Sequence, residues 1–141
     1  MESTPDQNAY NQKILRYEWD QLVFLIAEDI EMNYLFLAEA LKKTKVQLLW
    51  AVNGQDAVDI CLSDNHIDLV VTDIQMPVKN GFEATREIRA HFPSLPIIAY
   101  TAYSYEGVKE KILLAGAQEC LIKPFDSKDM LTTIRKYLFK T

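Results

Sequence analysis

Cysteine, histidine and glycine are scarce in this 141-residue chain, numbering two, two and four. Cys61 and Cys120 lie in apolar segments without metal-ligand spacing. They read as reduced core thiols of a cytoplasmic protein, which leaves out a disulfide framework or a zinc centre. No glycine-rich loop follows the first apolar run, which counts against a flavodoxin-like nucleotide-binding protein. No apolar run approaches the roughly 18 residues needed to cross a bilayer; the longest, 22–27, has the length of a strand. Positive charge is not in excess: 15 Lys and Arg against 20 Asp and Glu give −5. That argues against binding nucleic acid or an anionic membrane surface. The opening Met-Glu-Ser-Thr-Pro-Asp is polar and acidic, unlike a secretory leader. What is present, 49% hydrophobic and 25% charged residues, is the balance of a globular chain of one-domain length. The expectation is a single soluble cytoplasmic domain.

Residues 1–20 are polar with scattered Tyr10, Ile14, Leu15, Tyr17 and Trp19. They read as an N-terminal arm or linker, either loosely held or forming a short helix whose aromatics dock on the domain of residues 21–141. From residue 22 short apolar runs alternate with segments of helical period. The runs are 22–27, 47–51, 67–72, 97–101 and 119–122. Several are apolar at successive positions, as in strands buried on both faces of a parallel sheet. Helices are expected near 31–43, 54–64, 81–91, 105–115 and 127–139. Asp126 or Ser127 can cap the last, and Gly116 can stop the one before it. Five β-α units in this order predict a doubly wound α/β sandwich, flavodoxin-like, with the five-stranded parallel order 2-1-3-4-5.

In such a sheet the ligand crevice lies at the carboxyl ends of the strands, where strand order reverses. The first run leads into Glu28 and Asp29, the third into Thr72 and Asp73, the fourth into Thr101, the fifth into Lys123. The second run, expected at the sheet edge, delivers no ionisable group until Asp56. Three carboxylates and one ammonium therefore converge on one rim and leave two negative charges. Such crowding forces a proton onto one carboxyl unless a cation is supplied. Oxygen-only ligands with open positions suit Mg²⁺, or Mn²⁺. Ser, Cys and His nucleophiles are missing from the rim, but a carboxylate can itself attack a phosphoryl group. Lys123 and the Thr101 hydroxyl are then placed to receive phosphoryl oxygens. The reaction class is Mg²⁺-dependent phosphoryl transfer onto an aspartate.

The stretches Ala27-Glu28-Asp29, Thr72-Asp73-Ile74-Gln75-Met76-Pro77, Asn80-Gly81, Tyr100-Thr101-Ala102 and Ile122-Lys123-Pro124-Phe125 resemble the receiver domains of two-component response regulators. The texture around residues 28–33 and 73–78 is most similar to receivers of bacterial hybrid histidine kinases. The resemblance covers about 22–139. It implies that Asp73 is the phospho-acceptor, that Asp29 binds Mg²⁺ directly, and that Glu28 does so largely through water. It further implies that the Gln75 carbonyl completes the protein's share of the metal shell, and that Thr101 swings towards the phosphoryl group while Lys123 pairs with it. A cis Lys123–Pro124 bond and a loop shaped by Pro77 and Gly81 follow from the same likeness. Partners so implied are a histidine kinase or phosphotransfer domain as donor. A downstream protein, or a second copy, would meet the face formed by residues 105–115, 119–122 and 127–139. With so few residues outside the domain, output is expected through protein contacts, or the chain is one piece of a longer polypeptide.

One position departs from the family pattern. Three residues before the lysine, where most receivers carry Tyr or Phe, stands Cys120, so either the threonine–aromatic coupling is altered or Cys120 is simply a packed apolar residue. Tyr100, Tyr103 and Tyr105 flank Thr101 as substitutes. Gln75 and Tyr103 occupy places that tune loss of the phosphoryl group, and a bulky Tyr103 is expected to slow it. His66, in a polar loop, and His91, at a helix end, lack the setting of a kinase phosphohistidine; His91 rather eases the negative end of its helix. A haloacid-dehalogenase-like phosphohydrolase needs an acid where Gln75 stands. A degenerate receiver acting as a binding module remains the other alternative.

Overall fold

Residues 4–63 and 65–140 are described by the computed structural model; Met1, Glu2, Ser3, Asp64 and Thr141 lie outside them. The first element is a helix, α1 (Pro5–Leu15). It is followed by β1 (Val23–Ala27), α2 (Glu31–Leu41), β2 (Gln47–Ala51), α3 (Gly54–Leu62) and β3 (Leu69–Asp73). Then come α4 (Gly81–His91), β4 (Ile97–Thr101), α5 (Val108–Ala115), β5 (Glu119–Ile122) and α6 (Ser127–Leu138). The strands form one parallel sheet in the order β2-β1-β3-β4-β5. The chain passes from β1 to β2 on one side and back across to β3 on the other, so the reversal falls between β1 and β3.

Both faces of the sheet are covered, which is why β3 and β4 are buried at every position. On one face Leu25, Val70, Ala99 and Cys120 pack beneath α3, α4 and α5. On the other, Phe24, Ile26, Val71, Ile98 and Tyr100 pack with α2, α6 and the N-terminal segment. Local signals fit the elements they start. Asn53, Asn80 and Asp126 each accept a backbone N–H of the first helical turn, at α3, α4 and α6, satisfying donors that helix starts leave open. Gly116 ends α5 at φ +120°, a region open to glycine at little cost.

The N-terminal segment docks. Thr4 and Gln7 form a capping box, with Pro5 in the first turn. Ile14 and Trp19 are fully buried, and the Trp19 indole donates to the Ile14 carbonyl at 3.2 Å. Tyr10 donates to the Leu138 carbonyl at 2.9 Å, and Asn11 exchanges two hydrogen bonds with the Lys140 backbone. Arg135 lies over the Tyr17 ring at 4.8 Å. Among the described residues no helix is long and apolar enough to cross a membrane.

Candidate functional site

The register of the sheet builds the rim. Ala27 of β1 pairs with Thr72 of β3, Asp73 with Tyr100 of β4, and Thr101 with Ile122 of β5. The residues one step beyond these pairs are the ones expected from sequence. Glu28, Asp29 and Asp73 come together, each offering a carboxylate oxygen within 4.8 Å of the others. Asp29 is exposed, whereas Glu28 and Asp73 are buried.

Each group is held by its own element. Asp73 Oδ1 accepts the Gln75 amide at 3.1 Å, and the Thr72 hydroxyl donates to the Asp73 carbonyl at 2.9 Å. The chain then turns sharply: the Gly81 amide donates to the Ile74 carbonyl at 2.8 Å. A Cβ at Gly81 would stand 2.3 Å from the Asp73 carbonyl oxygen, so only glycine lets α4 start against the strand end. Val78, in the same loop, has φ +68°, a conformation unfavourable for a β-branched residue. The loop is tied by the Lys79–Glu87 ion pair. Thr101 is buried and its Oγ1 accepts the Tyr103 amide at 3.1 Å. Lys123 is half-buried, joins no ion pair among the described residues, and sets Nζ 4.9 Å from the centre of the Tyr100 ring. The Lys123–Pro124 peptide is cis.

Glu28 is the electrostatically strained member. Its Oε2 accepts the Tyr100 hydroxyl at 2.8 Å, but its Oε1 is buried without a hydrogen-bond partner. Burial and then the neighbouring Asp73 carboxylate push the Glu28 carboxyl up to about 7, against the opposing pull of Tyr100 and Asn33. Burial, then the Glu28 charge, also raises the Tyr100 hydroxyl. An all-oxygen cluster that is short of positive charge and has an orphaned buried oxygen fits a hard divalent cation.

The neighbours of this site divide by face. Tyr103 is 56% exposed and, with Tyr105, Phe82, Met76 and Pro77, lines a cleft of about 430 Å³ that opens beside Asp29 and Thr101. Cys120 is buried on the same sheet face as Thr101, two register pairs earlier on β5 and opposite Ala99. Tyr100 is not on that face: alternation along β4 turns it to the α2/α6 side. It therefore cannot stand in for the missing aromatic, whereas Tyr103 and Tyr105 line the cleft beside Thr101. The contacts made by Tyr100, and the Trp50 indole donating to the Glu28 carbonyl at 2.7 Å, were not anticipated. No motif marks them: Tyr100 lies on a strand buried on both faces, which shows no alternation from which to read side-chain direction, and Trp50 lies on the half-buried edge strand β2.

The response regulator receiver domain matches residues 24–135. This chain belongs to that family. It is a receiver domain of the two-component phosphorelay type and is homologous to receivers of hybrid histidine kinases. The Escherichia coli (strain K12) sensor histidine kinase RcsC is 34% identical over 118 residues, 84% of this chain but 12% of that protein. The Dictyostelium discoideum hybrid signal transduction histidine kinase G is 38% identical over 122 residues, 83% of this chain and 4% of that one. The receiver thus spans a small fraction of the curated relatives it matches. The receiver domain of Pseudomonas aeruginosa sensor histidine kinase PA1611, crystallised with magnesium coordinated in its active-site cleft, is 29% identical with a TM-score of 0.77. That match covers 84% of this chain and 98% of that one. A co-crystal structure of the Saccharomyces cerevisiae phosphotransfer protein Ypd1 and the receiver domain of Ssk1 matches at 30% identity and TM-score 0.75, covering 82% and 88%.

Proposed function

We propose that this receiver accepts a phosphoryl group on Asp73 from a phosphohistidine donor, with Mg²⁺ held by Asp29, Glu28, Asp73 and the Gln75 carbonyl. The observation that carries the reading is the convergence of three carboxylates at the switch point, with Thr101 and Lys123 at the same ends of the two strands beyond it. When bound, the cation neutralises the crowded carboxylates and draws charge from the phosphoryl oxygens. The Asp73 carboxylate forms a P–O bond as the donor's N–P bond breaks, and the imidazole leaves with that electron pair. Lys123 and the Thr101 hydroxyl meet the transferred oxygens. Thr101 then leaves its hydrogen bond with the Tyr103 amide, passing the change into the loop before α5.

Exposed Ile30, Met32, Leu35 and Phe36 on and before α2 form an apolar patch beside the rim, suited to a donor's helical face. Relatives support such a donor: one matched receiver is crystallised with its phosphotransfer protein. For output we assign the α5, β5 and α6 face, where Leu114 is 88% exposed and Leu113 stands beside it. The whole unit reads as a cytoplasmic module. Residues 1–20 are an arm of this module, and its described part, residues 4–20, is docked.

The test is incubation with a phosphorylated histidine phosphotransfer protein, followed by reduction of the acyl phosphate with tritiated borohydride, which expels phosphate and marks the former carboxyl carbon, and peptide mapping. The reading predicts label on the peptide carrying Asp73, dependent on Mg²⁺. Label on another residue, or none from donors that phosphorylate related receivers, overturns it.

A further inference from the structure

Tyr100 is 1% exposed and makes three separate contacts with the machinery of the site. Its carbonyl accepts the amide of Ile74, the residue following Asp73, at 3.1 Å. Its hydroxyl crosses behind β3 to donate to Glu28 Oε2 at 2.8 Å. Its ring lies 4.9 Å beneath Lys123 Nζ, itself steadied by the edge of Phe125 at 6.0 Å and 69°. A buried tyrosine hydroxyl needs a partner, but here the partner is a carboxylate whose second oxygen has none.

We propose that Tyr100 is a positioning residue of the acidic site, anchoring one oxygen of Glu28 so that the other is presented to the cation, and seating Lys123 on its ring. The assignment rests on the reading that Glu28, Asp29 and Asp73 hold Mg²⁺. A glutamate has three side-chain torsions, and burial alone leaves several rotamers open. A hydrogen bond to Oε2 removes those that turn the carboxylate from Asp29 and Asp73, while leaving Oε1 uncommitted. Groups that orient a metal ligand in this way are commonly worth 10–100-fold in affinity. The ring offers a cation–π seat for Lys123, holding the ammonium near the rim without an ion pair to a carboxylate that the metal needs.

The molecule contains its own comparison. The Tyr137 hydroxyl also donates to a glutamate, Glu119 on β5, away from the acidic cluster. A hydroxyl with a merely structural role would behave alike at the two places.

The experiment titrates Mg²⁺ into the full chain, following Trp50 fluorescence, since that indole is bonded to the Glu28 backbone, and independently the Mg²⁺-induced rise in Tm. Tyr100→Phe, checked for native near-UV circular dichroism, is expected to weaken Mg²⁺ binding by about tenfold. Tyr137→Phe should leave it within twofold. In a Glu28→Gln background the Tyr100→Phe effect should largely vanish, because the hydroxyl acts through that carboxylate. Tyr100→Met, which removes the hydroxyl and leaves a smaller apolar side chain, carries the same expectation for Mg²⁺ affinity if the phenylalanine variant folds poorly. A Tyr100→Phe affinity within twofold of wild type overturns the assignment while leaving the metal site intact. A wild type that shows no saturable response in either readout overturns the metal-site reading, and this assignment with it.

Discussion

Removing the negative charge of Glu28 should stabilise the metal-free protein at and above neutral pH. The carboxyl is pushed up to about 7, by burial first and then by Asp73, from the ordinary 4.5 that applies in the unfolded chain. The folded state therefore favours the protonated form. Below about pH 4 both states are protonated and nothing is lost. Between roughly pH 4.5 and 7 the unfolded chain releases its proton while the folded chain retains it, and stability falls as pH rises. Above that window the full penalty remains, about 3 kcal/mol for a gap of this size. Glu28→Gln is neutral throughout. In EDTA it should match wild type at pH 4.5 and exceed it at pH 8 by up to about 3 kcal/mol, or on the order of 10 °C in Tm for a chain of this length. Urea titrations at the two pH values measure the difference, and Mg²⁺ should then raise the wild type more than the variant. A Glu28→Gln variant that is destabilised equally at both pH values would be incompatible with a penalty from burying the charge. Glu28 would then be held by hydrogen bonding good enough to outweigh desolvation.

Gly81→Ala places a Cβ 2.3 Å from the Asp73 carbonyl and 2.6 Å from Ile74 Cα, both backbone atoms that cannot step aside. It should cost about 1–3 kcal/mol in thermal unfolding and slow phosphorylation by displacing Asp73. Trp19→Ala removes a fully buried side chain of the N-terminal segment, and a loss of about 3–5 kcal/mol is expected; less than 1 kcal/mol would mean that this segment does not contribute to the core in solution. Lys123→Ala should slow phosphorylation by about 100-fold, the usual scale for one lost charge-stabilising donor, with Mg²⁺ affinity little changed. Burial pushes the Cys61 thiol up to about 11 and raises Cys120 as well. An aromatic disulfide reagent at pH 7.5 should therefore label neither in the native protein and both in denaturant; fast native labelling of Cys120 would show it exposed.

Much of the sheet could be read from sequence because parallel strands buried on two faces write themselves as apolar runs. The strands expected at 47–51, 97–101 and 119–122 have those bounds in the structure. The third run begins two residues later than expected, at Leu69. Asp68 exchanges hydrogen bonds with the Val23 backbone, so a polar side chain pins the entry to the strand. The helix expected from 105 begins at Val108, because Gly107 at φ +85° resets the chain. Tyr103 and Tyr105 are thereby left to line the cleft. The carboxylates, Thr101 and Lys123 were legible because strand ends in a doubly wound sheet share one rim. The docking of α1 was one of two readings the sequence left open, since it depends on partners such as Tyr10 and Leu138, 128 residues apart. Tyr100 was not legible, because only the register reveals its direction.

Every proposal made for this receiver depends on Asp73 taking the phosphoryl group with the help of a divalent cation. Intact mass after incubation with acetyl phosphate, with Mg²⁺ or EDTA, on the wild type and Asp73→Asn, reads that step. One added phosphoryl is expected in the wild type with Mg²⁺, and none with EDTA or in the variant. A folded wild type that binds Mg²⁺ yet gains no mass, or an Asp73→Asn variant that gains it equally, would rule it out.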